Sequence, residues 1–199
     1  MIFINFKKYI LIIATATVLF GCKIDAQASD LPKAGFTSFV NEIDEFIYPL
    51  KSTTYDIVGH NGKKTFMGYK TITDKTSKQY ELQQMAYTDE EGFRKVDDRY
   101  CVAIGTAFGV YTGQIFDVEL ENGTVIECVV GDIKKDKDTD VTNTFTNQGC
   151  CLEFIVDTKK LYGTIVMKRG DCSFRVEEWD SPCKQFKIYE LNYLEKGEE

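Results

Sequence analysis

The chain has 199 residues, 43% of them hydrophobic, and a formal net charge of −7. This length fits one globular domain with an N-terminal extension. No stripe rich in lysine and arginine is present, so the composition argues against nucleic acid as a partner. An acidic chain also gains little from long-range attraction to anionic polymers, which would have to be bound in a shaped groove.

The first 22 residues have the pattern of an export signal. Two lysines precede an apolar stretch at residues 9–20, and a small residue and Cys22 follow. The apolar stretch is shorter than the roughly 20 residues of a membrane-spanning helix. The letters LFGC resemble a bacterial lipobox, in which Cys22 is lipidated and becomes the mature N-terminus; cleavage after Ala28 and retention as an anchor are the alternatives. Each alternative predicts an extracytoplasmic protein, either lipid-anchored at the cell membrane, or secreted, or held by the retained segment.

Residues 23–35 are small and polar and are interpreted as a tether. From residue 36, apolar side chains recur at spacings of three and four, which predicts an amphipathic helix that ends at Pro49. Acidic residues within this helix disfavour a position on an anionic membrane surface. The helix and the extension that follows it, together residues 36–95, are therefore predicted to pack on the main domain. The apolar positions of the helix are Phe36, Phe39, Val40, Ile43, Phe46 and Ile47.

The segment after the predicted helix carries few patterns. His60, the only histidine of the chain, lies in the turn-like letters GHNGKK and is interpreted as a surface loop residue. A catalytic triad with a histidine, or a histidine-based zinc site, would depend on it alone. Further along, the expected buried positions are Tyr80, Leu82, Met85 and Tyr87.

From Tyr100 onward the sequence has the character of β-structure. Short apolar or alternating runs are separated by glycine-containing turns, and Asn122 with Gly123 marks a tight hairpin. Five or six such strands predict a mainly β fold with a small barrel at residues 96–194, followed by an acidic tail at residues 195–199. The predicted strands are YCVAIG, QIFDVEL, ENGTVIECVV, CLEFIVD, LYGTIVMK and QFKIYELNYL. The residues expected to share one core are Val102, Ile104, Val118, Val129, Phe154 and Val156.

Asp132 ends an apolar run, and three more aspartates follow it at every second position from residue 136. These alternating acids resemble the start of an EF-hand loop. However, Val141 stands where the sharp turn requires glycine, and Asn147 stands where the loop requires glutamate. An EF-hand is therefore rejected, and no metal and no cofactor is assigned. An improvised calcium site, a solvated acidic loop and a turn or capping role for Asp132 remain as alternatives.

Seven cysteines are present. An even number remains if Cys22 is lipidated, and an exported chain permits disulfides. Cys150 and Cys151 are adjacent, so a bond between them would be strained. The sequence does not choose among the other pairings, and reduced core cysteines are the alternative. The six are Cys101, Cys128, Cys150, Cys151, Cys172 and Cys183.

The letters from YCVAIG to CCLEFIVD resemble the double-psi β-barrel proteins of the 3D, RlpA and barwin/expansin-like group. In that group one strand ends on an aspartate, and a second strand, after a polar loop, carries another acid. Asp132 in VVGD matches the first acid, and Glu153 in LEF matches the second, where relatives usually have aspartate. The likeness covers roughly residues 70–190 and extends to exported or phage-linked proteins of Gram-positive bacteria. It implies a small six-stranded double-psi β-barrel that follows the N-terminal amphipathic helix.

Active members of this group cleave peptidoglycan glycan strands as lytic transglycosylases, with an aspartate as general acid and base. The resemblance therefore implies peptidoglycan or another wall glycan as the partner, Asp132 as the proton donor and Glu153 as the residue that orients it. Proton donation near neutral pH requires a raised pKa, which apolar neighbours and the Glu153 carboxylate would provide for Asp132. The residues expected to bind substrate are Tyr87, Tyr100, Phe108, Tyr111 and Lys134.

Expansin-type members of the group bind and loosen wall polysaccharide without hydrolysis. A catalytically silent module that binds wall glycan or has a structural role is therefore the alternative to an enzyme. A surface or phage-encoded protein that binds another protein is a third possibility. In each case the membrane is a partner only through a lipid anchor, and the sequence does not indicate the oligomeric state.

Overall fold

The computed structural model describes residues 51–195. The predicted signal peptide with Cys22, the tether and the helix predicted from residue 36 lie outside the described residues. So do the last four residues of the predicted acidic tail.

Nine strands and three α-helices make up the described part of the chain, with five short 3-10 turns between them. The strands are β1 Ser52–Asp56, β2 Thr65–Gly68, β3 Tyr87–Thr88, β4 Arg94–Val96, β5 Arg99–Ile104, β6 Gln114–Leu120, β7 Val125–Ile133, β8 Glu153–Val156 and β9 Cys183–Asn192. The helices are α1 Lys78–Met85, α2 Thr158–Leu161 and α3 Ile165–Arg169. The 3-10 turns are Tyr69–Thr71, Thr106–Phe108, Asp136–Asp138, Cys172–Phe174 and Glu177–Trp179.

The nine strands form one mixed sheet in the order β1-β9-β6-β7-β5-β4-β3, with β8 placed beside β5 and β2. The pairs β5–β7 and β2–β8 are parallel, and the others are antiparallel. Strand β5 is central, because β7 occupies one of its edges while β4 and then β8 occupy the other. The mainly β class is confirmed. The strands number nine rather than six, and this hydrogen-bonded order does not close on itself.

The hairpin predicted at Asn122 and Gly123 is present and joins β6 to β7. Gly123 has a φ of 83°, a left-handed conformation that glycine adopts without a steric cost. The N–H of Gly123 donates to the carbonyl of Leu120, and the N–H of Leu120 donates to the carbonyl of Thr124, both at 2.9 Å. The turn therefore fixes the register of the antiparallel pair β6–β7, of which β7 lies next to β5.

The sheet buries apolar side chains on both faces, which gives two cores. The first core is the larger and is centred on an aromatic cluster of Phe93, Tyr100, Phe154 and Trp179. The second core lies on the other face and consists of Leu82, Val96, Cys101, Ile115, Val129 and Ile155.

All six residues expected in one core are buried, but Val129 belongs to the second core. The prediction was wrong for Val129 because residues 128–130 are apolar on both faces, and alternation could not separate the faces. Of the four earlier positions expected to be buried, Leu82 is fully buried and Tyr80 is half-buried. Met85 and Tyr87 are exposed, at 46% and 47%, which corrects the expectation for both.

The letters LYGTIVMK were predicted as a strand, and the structure contains α2 and α3 there instead. Asp157 caps α2, since its carboxylate accepts the N–H of Lys159 at 2.9 Å. Gly163 then breaks the run with a φ of 80°, and Gly170 ends α3 in the left-handed conformation. The periodicity of a short apolar run does not distinguish a strand from a buried helix. The capping residues at the ends of α2 and α3 favour helix here.

Cys151 and Cys183 form a disulfide bond. Within residues 51–195 the other four cysteines, Cys101, Cys128, Cys150 and Cys172, are buried thiols. Burial raises the pKa of Cys101 to about 12. Burial also raises the pKa of Cys128 and of Cys172, so these three thiols are neutral core groups at neutral pH rather than reactive thiolates.

Residues 52–96 supply β1 to β4 and α1 to the same sheet and cores. Of the helices that the structure describes in residues 51–195, none combines the length and apolar character required to cross a membrane.

Candidate functional site

Asp132 and Glu153 lie on the two strands that flank β5, and both are in register with Ala103. Residues directly opposite one another on neighbouring strands point to the same face of the sheet. Alternation along β5 puts Ala103 on the face of Cys101, which belongs to the second core. Both carboxyls therefore lie on the second-core face. Two strand spacings of about 4.8 Å separate their Cα atoms by ~10 Å.

A β-bulge at Gly131 turns Asp132 to this face. Val102 pairs with Val130 and Ala103 pairs with Asp132, so Gly131 is the extra residue. Val130 packs in the first core, and without the bulge Asp132 would point to the same side as Val130. A Cβ added to Gly131 would lie 2.5 Å from Cδ1 of Ile155 and 3.2 Å from Cβ of Cys101, so a larger residue here would displace side chains of the second core.

Asp132 is half-buried, and burial raises the pKa of its carboxyl above the ordinary value of 3.8. Hydrogen bonds from the backbone N–H of Ile133 and from the side chain of Gln79, with the positive charges of Lys134 and Lys135, oppose this increase. Burial is the largest of these effects, so burial rather than the Glu153 carboxylate raises the pKa of Asp132. A carboxyl in this setting keeps its proton to higher pH than an exposed aspartate.

Gln79, which sequence reasoning missed, reaches Asp132 from α1. The helix begins there because the Ser77 hydroxyl accepts the N–H of Tyr80 at 3.1 Å. Leu82 then anchors α1 in the second core. The signal for this helix was the serine before a run of good helix formers, KQYELQQM. No sequence pattern indicated the hydrogen bond between Gln79 and Asp132, because the two residues are 53 positions apart in the chain.

Lys134 and Glu153 form a salt bridge, with the lysine Nζ 2.5 Å from Oε2 of the glutamate. The two side chains are 19% and 12% exposed. Lys134 follows β7, and its backbone N–H donates to the carbonyl of Ile104, so the salt bridge spans β5 above Ala103. Lys134 was predicted to bind substrate. The structure places it between the two acids, where it neutralises Glu153 and attracts the charge of Asp132.

The predicted aromatic platform does not form beside Asp132. Tyr100 packs against the first core, on the opposite face of the sheet, with its ring 5.0 Å from that of Trp179. Tyr87 pairs with Lys95, and Lys95 pairs with Tyr100, so Tyr87 lies on that same face.

Two other aromatic residues were also expected to bind substrate. Phe108 is buried in the first core, 5.1 Å from the ring of Phe186. Tyr111 lies in the turn before β6 and is 68% exposed, and its N–H donates to the side chain of Gln114. Of the four aromatic residues, Tyr87 and Tyr111 are therefore available to solvent.

The acidic loop after β7 uses its carboxylates to hold its own backbone. Asp140 accepts the hydroxyl of Thr142 at 2.6 Å and the N–H groups of Thr144 and Phe145, and the Thr142 bond is the main reason that the pKa of Asp140 is lowered. Asp136 accepts the hydroxyl of Thr106 at 2.6 Å. Across residues 51–195, no cluster of three or more His, Cys, Asp or Glu side chains is arranged to hold a metal ion.

His60 is half-buried rather than a free surface residue. Its Nε2 lies 2.9 Å from the carbonyl of Cys183, and its Nδ1 accepts the N–H of Gly62. Both ring nitrogens are thus bonded to the backbone, so His60 stabilises a turn and does not serve as a base for Asp132.

No protein-family model matches this chain, and no curated protein matches it in sequence. The chemistry of Asp132, Lys134 and Glu153 is therefore what indicates the function.

Proposed function

We propose that the protein is an exported cell-envelope protein that acts on peptidoglycan glycan strands, with Asp132 as the general acid. One observation carries the proposal: a half-buried carboxyl at a strand end has its pKa raised by burial. Perturbed carboxyls of this kind are more frequent at catalytic sites than elsewhere.

The chemistry requires one proton donor. Protonated Asp132 would deliver its proton to the leaving glycosidic oxygen, as in lytic transglycosylases. The Asp132 carboxylate that results would then accept the proton of a hydroxyl of the same sugar as that hydroxyl attacks the anomeric carbon, which returns Asp132 to its protonated form. Lys134 would contact hydroxyl or carboxylate groups of the glycan, and Glu153 would hold the Lys134 ammonium in place. Glu153 is then a positioning residue, and Tyr111 is the exposed aromatic residue best suited to stack on a sugar.

The proposal includes the double-psi β-barrel as the fold type, export by the signal at residues 1–22 and a lipid at Cys22. The parallel pairs β5–β7 and β2–β8 within an otherwise antiparallel set of short strands support a mixed, crossed topology of this kind. Intact-mass measurement of membrane-extracted protein tests the anchor. A diacyl or triacyl adduct on Cys22 supports it, and a soluble form that begins at Ser29 overturns it.

A wall-glycan binding module without catalysis is the second candidate. It is favoured by the salt bridge, because Lys134 already neutralises Glu153. It is also favoured by the position of Tyr87 and Tyr100 on the face opposite Asp132.

The experiment compares the release of soluble fragments from purified sacculi with sacculus pull-down for the same proteins. Asp132→Asn keeps the shape of the side chain but cannot deliver a proton, and loss of general acid catalysis lowers the rate by about 10²–10⁴-fold. Glu153→Gln should lower it less. Asp138→Asn is the matched control, because Asp138 is an exposed acid of the neighbouring loop. If the wild type binds sacculi and releases nothing, the binding module replaces the enzyme. If Asp132→Asn releases fragments at the wild-type rate, Asp132 is a structural strand-end residue.

A further inference from the structure

The segment that contains α2, α3 and the turn Cys172–Phe174 exposes only positive charges. Residues 158–175 contain five basic side chains and one acidic side chain, in a chain of net charge −7. The acidic side chain, Asp171, is buried and accepts the N–H groups of Lys64 and Ser173. In the described part of the chain, none of the five basic side chains forms a salt bridge. The five are Lys159, Lys160, Lys168, Arg169 and Arg175.

Large apolar side chains are exposed among these cations. Tyr162 is 84% exposed, Phe174 53%, Ile165 47% and Met167 37%. Isolated exposed apolar residues are ordinary, but four of them within 13 positions form a patch. We call these four residues and the five basic ones the basic apolar surface.

Five residues of this surface form two local groups. Lys159, Tyr162 and Met167 line one open depression of about 390 Å³. The guanidinium of Arg169 lies 5.9 Å from the centre of the Phe174 ring, which joins α3 to the 3-10 turn.

The backbone beneath the surface is firmly held. Leu161 and Val166 are fully buried in the first core. The Lys160 ammonium donates to the carbonyl of Asp89 at 2.6 Å, so this lysine fastens α2 to the loop before β4. The exposed side chains are thus presented by an anchored scaffold rather than by a loose loop.

We infer that the basic apolar surface binds the anionic phospholipid surface of a membrane. Cations attract lipid phosphates, and aromatic and aliphatic side chains beside them enter the boundary between headgroups and acyl chains. Tyr162 and Met167 share the depression with Lys159, and Phe174 lies against Arg169, so apolar and cationic side chains are interleaved on this surface. Lipids can move laterally to match such a pattern, whereas the carboxylates of a rigid protein partner would need matching fixed positions. This contact is additional to any lipid at Cys22 and does not depend on action on glycan.

The test is vesicle co-sedimentation of residues 23–199, made without the signal segment so that no lipid is attached. Binding is measured on vesicles of phosphatidylcholine alone and on vesicles with about 30 mol% phosphatidylglycerol, the anionic lipid, at low and high salt. The wild type should bind the anionic vesicles, should bind less at high salt, and should not bind phosphatidylcholine.

Two variants separate the charge from the apolar contribution. Lys168→Gln with Arg169→Gln should weaken binding by about 25-fold, because each basic residue near an anionic surface contributes about fivefold. Tyr162→Ser should weaken it by about fivefold at unchanged charge. Lys75→Gln with Lys137→Gln is the matched control, since it removes two exposed lysines elsewhere and should change binding less than about twofold.

Several results would overturn the inference. The wild type could fail to bind either vesicle, or the control could weaken binding as much as the surface variants do. Equal binding by wild type and surface variants would show that another part of the chain contacts the membrane. Self-association that depends on Tyr162, without vesicle binding, would identify a second copy of the chain as the occupant.

Discussion

Phe154 allows the sharpest test of the described fold. It is adjacent to Glu153 on β8, so burial of Phe154 in the first core places the Glu153 side chain on the other face of the sheet. Its side chain is fully buried and stacks on Trp179 with ring centres 4.8 Å apart and planes 4° apart. Phe93 and Tyr100 contact it edge-on, at 5.2 and 5.7 Å. Truncation of a buried phenylalanine costs about 3–5 kcal/mol of the free energy of unfolding. Since aromatic pairs add ~0.5–1.5 kcal/mol each beyond burial, Phe154→Ala should lie in the upper part of that range.

The free energy of unfolding is measured by urea titration followed by far-UV circular dichroism, with Trp179 fluorescence as a second probe. Phe174→Ala is the matched control, because this phenylalanine is 53% exposed and its loss should cost less than about 0.5 kcal/mol. A loss below about 1 kcal/mol for Phe154→Ala would refute the reasoning, because a buried phenylalanine costs more. A one-residue slip of β8 would then be the simplest explanation, and it would turn Glu153 away from Lys134.

Three further predictions concern charge and covalent structure. Burial raises the pKa of Asp132, so its contribution to stability is fully present below pH 3.8 and is lost as pH rises through the folded-state pKa. Asp132→Asn should therefore unfold at higher urea than wild type near neutral pH, with the difference vanishing in acid; a less stable variant at neutral pH would contradict this. The Arg99 guanidinium lies 2.8 Å from the Asp117 carboxylate, and Asp117→Ala removes this anion. The free energy of unfolding, measured by urea titration, should fall by about 2–3 kcal/mol. A change near zero would show that water replaces the carboxylate. Replacement of both Cys151 and Cys183 by serine opens a loop of 32 residues and should lower the free energy of unfolding by about 3–4 kcal/mol. A wild-type urea midpoint that does not change when reductant is added would contradict this.

Local patterns were sufficient for the centre of the sheet. The runs YCVAIG and QIFDVEL and the turn at Asn122 and Gly123 correspond to β5, β6 and the hairpin that follows. These elements are specified by side-chain alternation and by one glycine, and both signals lie within a few residues. The strands β1 and β2 were missed, because their partners are β9 and β8 and their own letters alternate weakly.

Sequence patterns named Asp132 and Glu153 of the candidate site but not Gln79, and they did not indicate how these residues are arranged. Asp132 and Glu153 were named from the chain, and they do flank one residue of β5. Their arrangement depends on the bulge at Gly131, which turns Asp132 to the other face of the sheet. It also depends on Lys134, whose side chain reaches across β5 to Glu153. A glycine within an apolar strand is the available sign of a bulge. No sequence pattern indicates which residue of another strand pairs with Lys134.

The pairing of the first two strands with the last two has a consequence for the order of folding. Thr53 pairs with Ile188 and Thr65 pairs with Glu153, so both N-terminal strands have partners far along the chain. The partner of Thr53 lies 135 positions further along the chain, so β1 has no partner until β9 is available. Until then the sheet has unpaired edges that could join other chains. Completion of the sheet is therefore a late event that requires β9, and deletion of β9 should leave β1 without its partner.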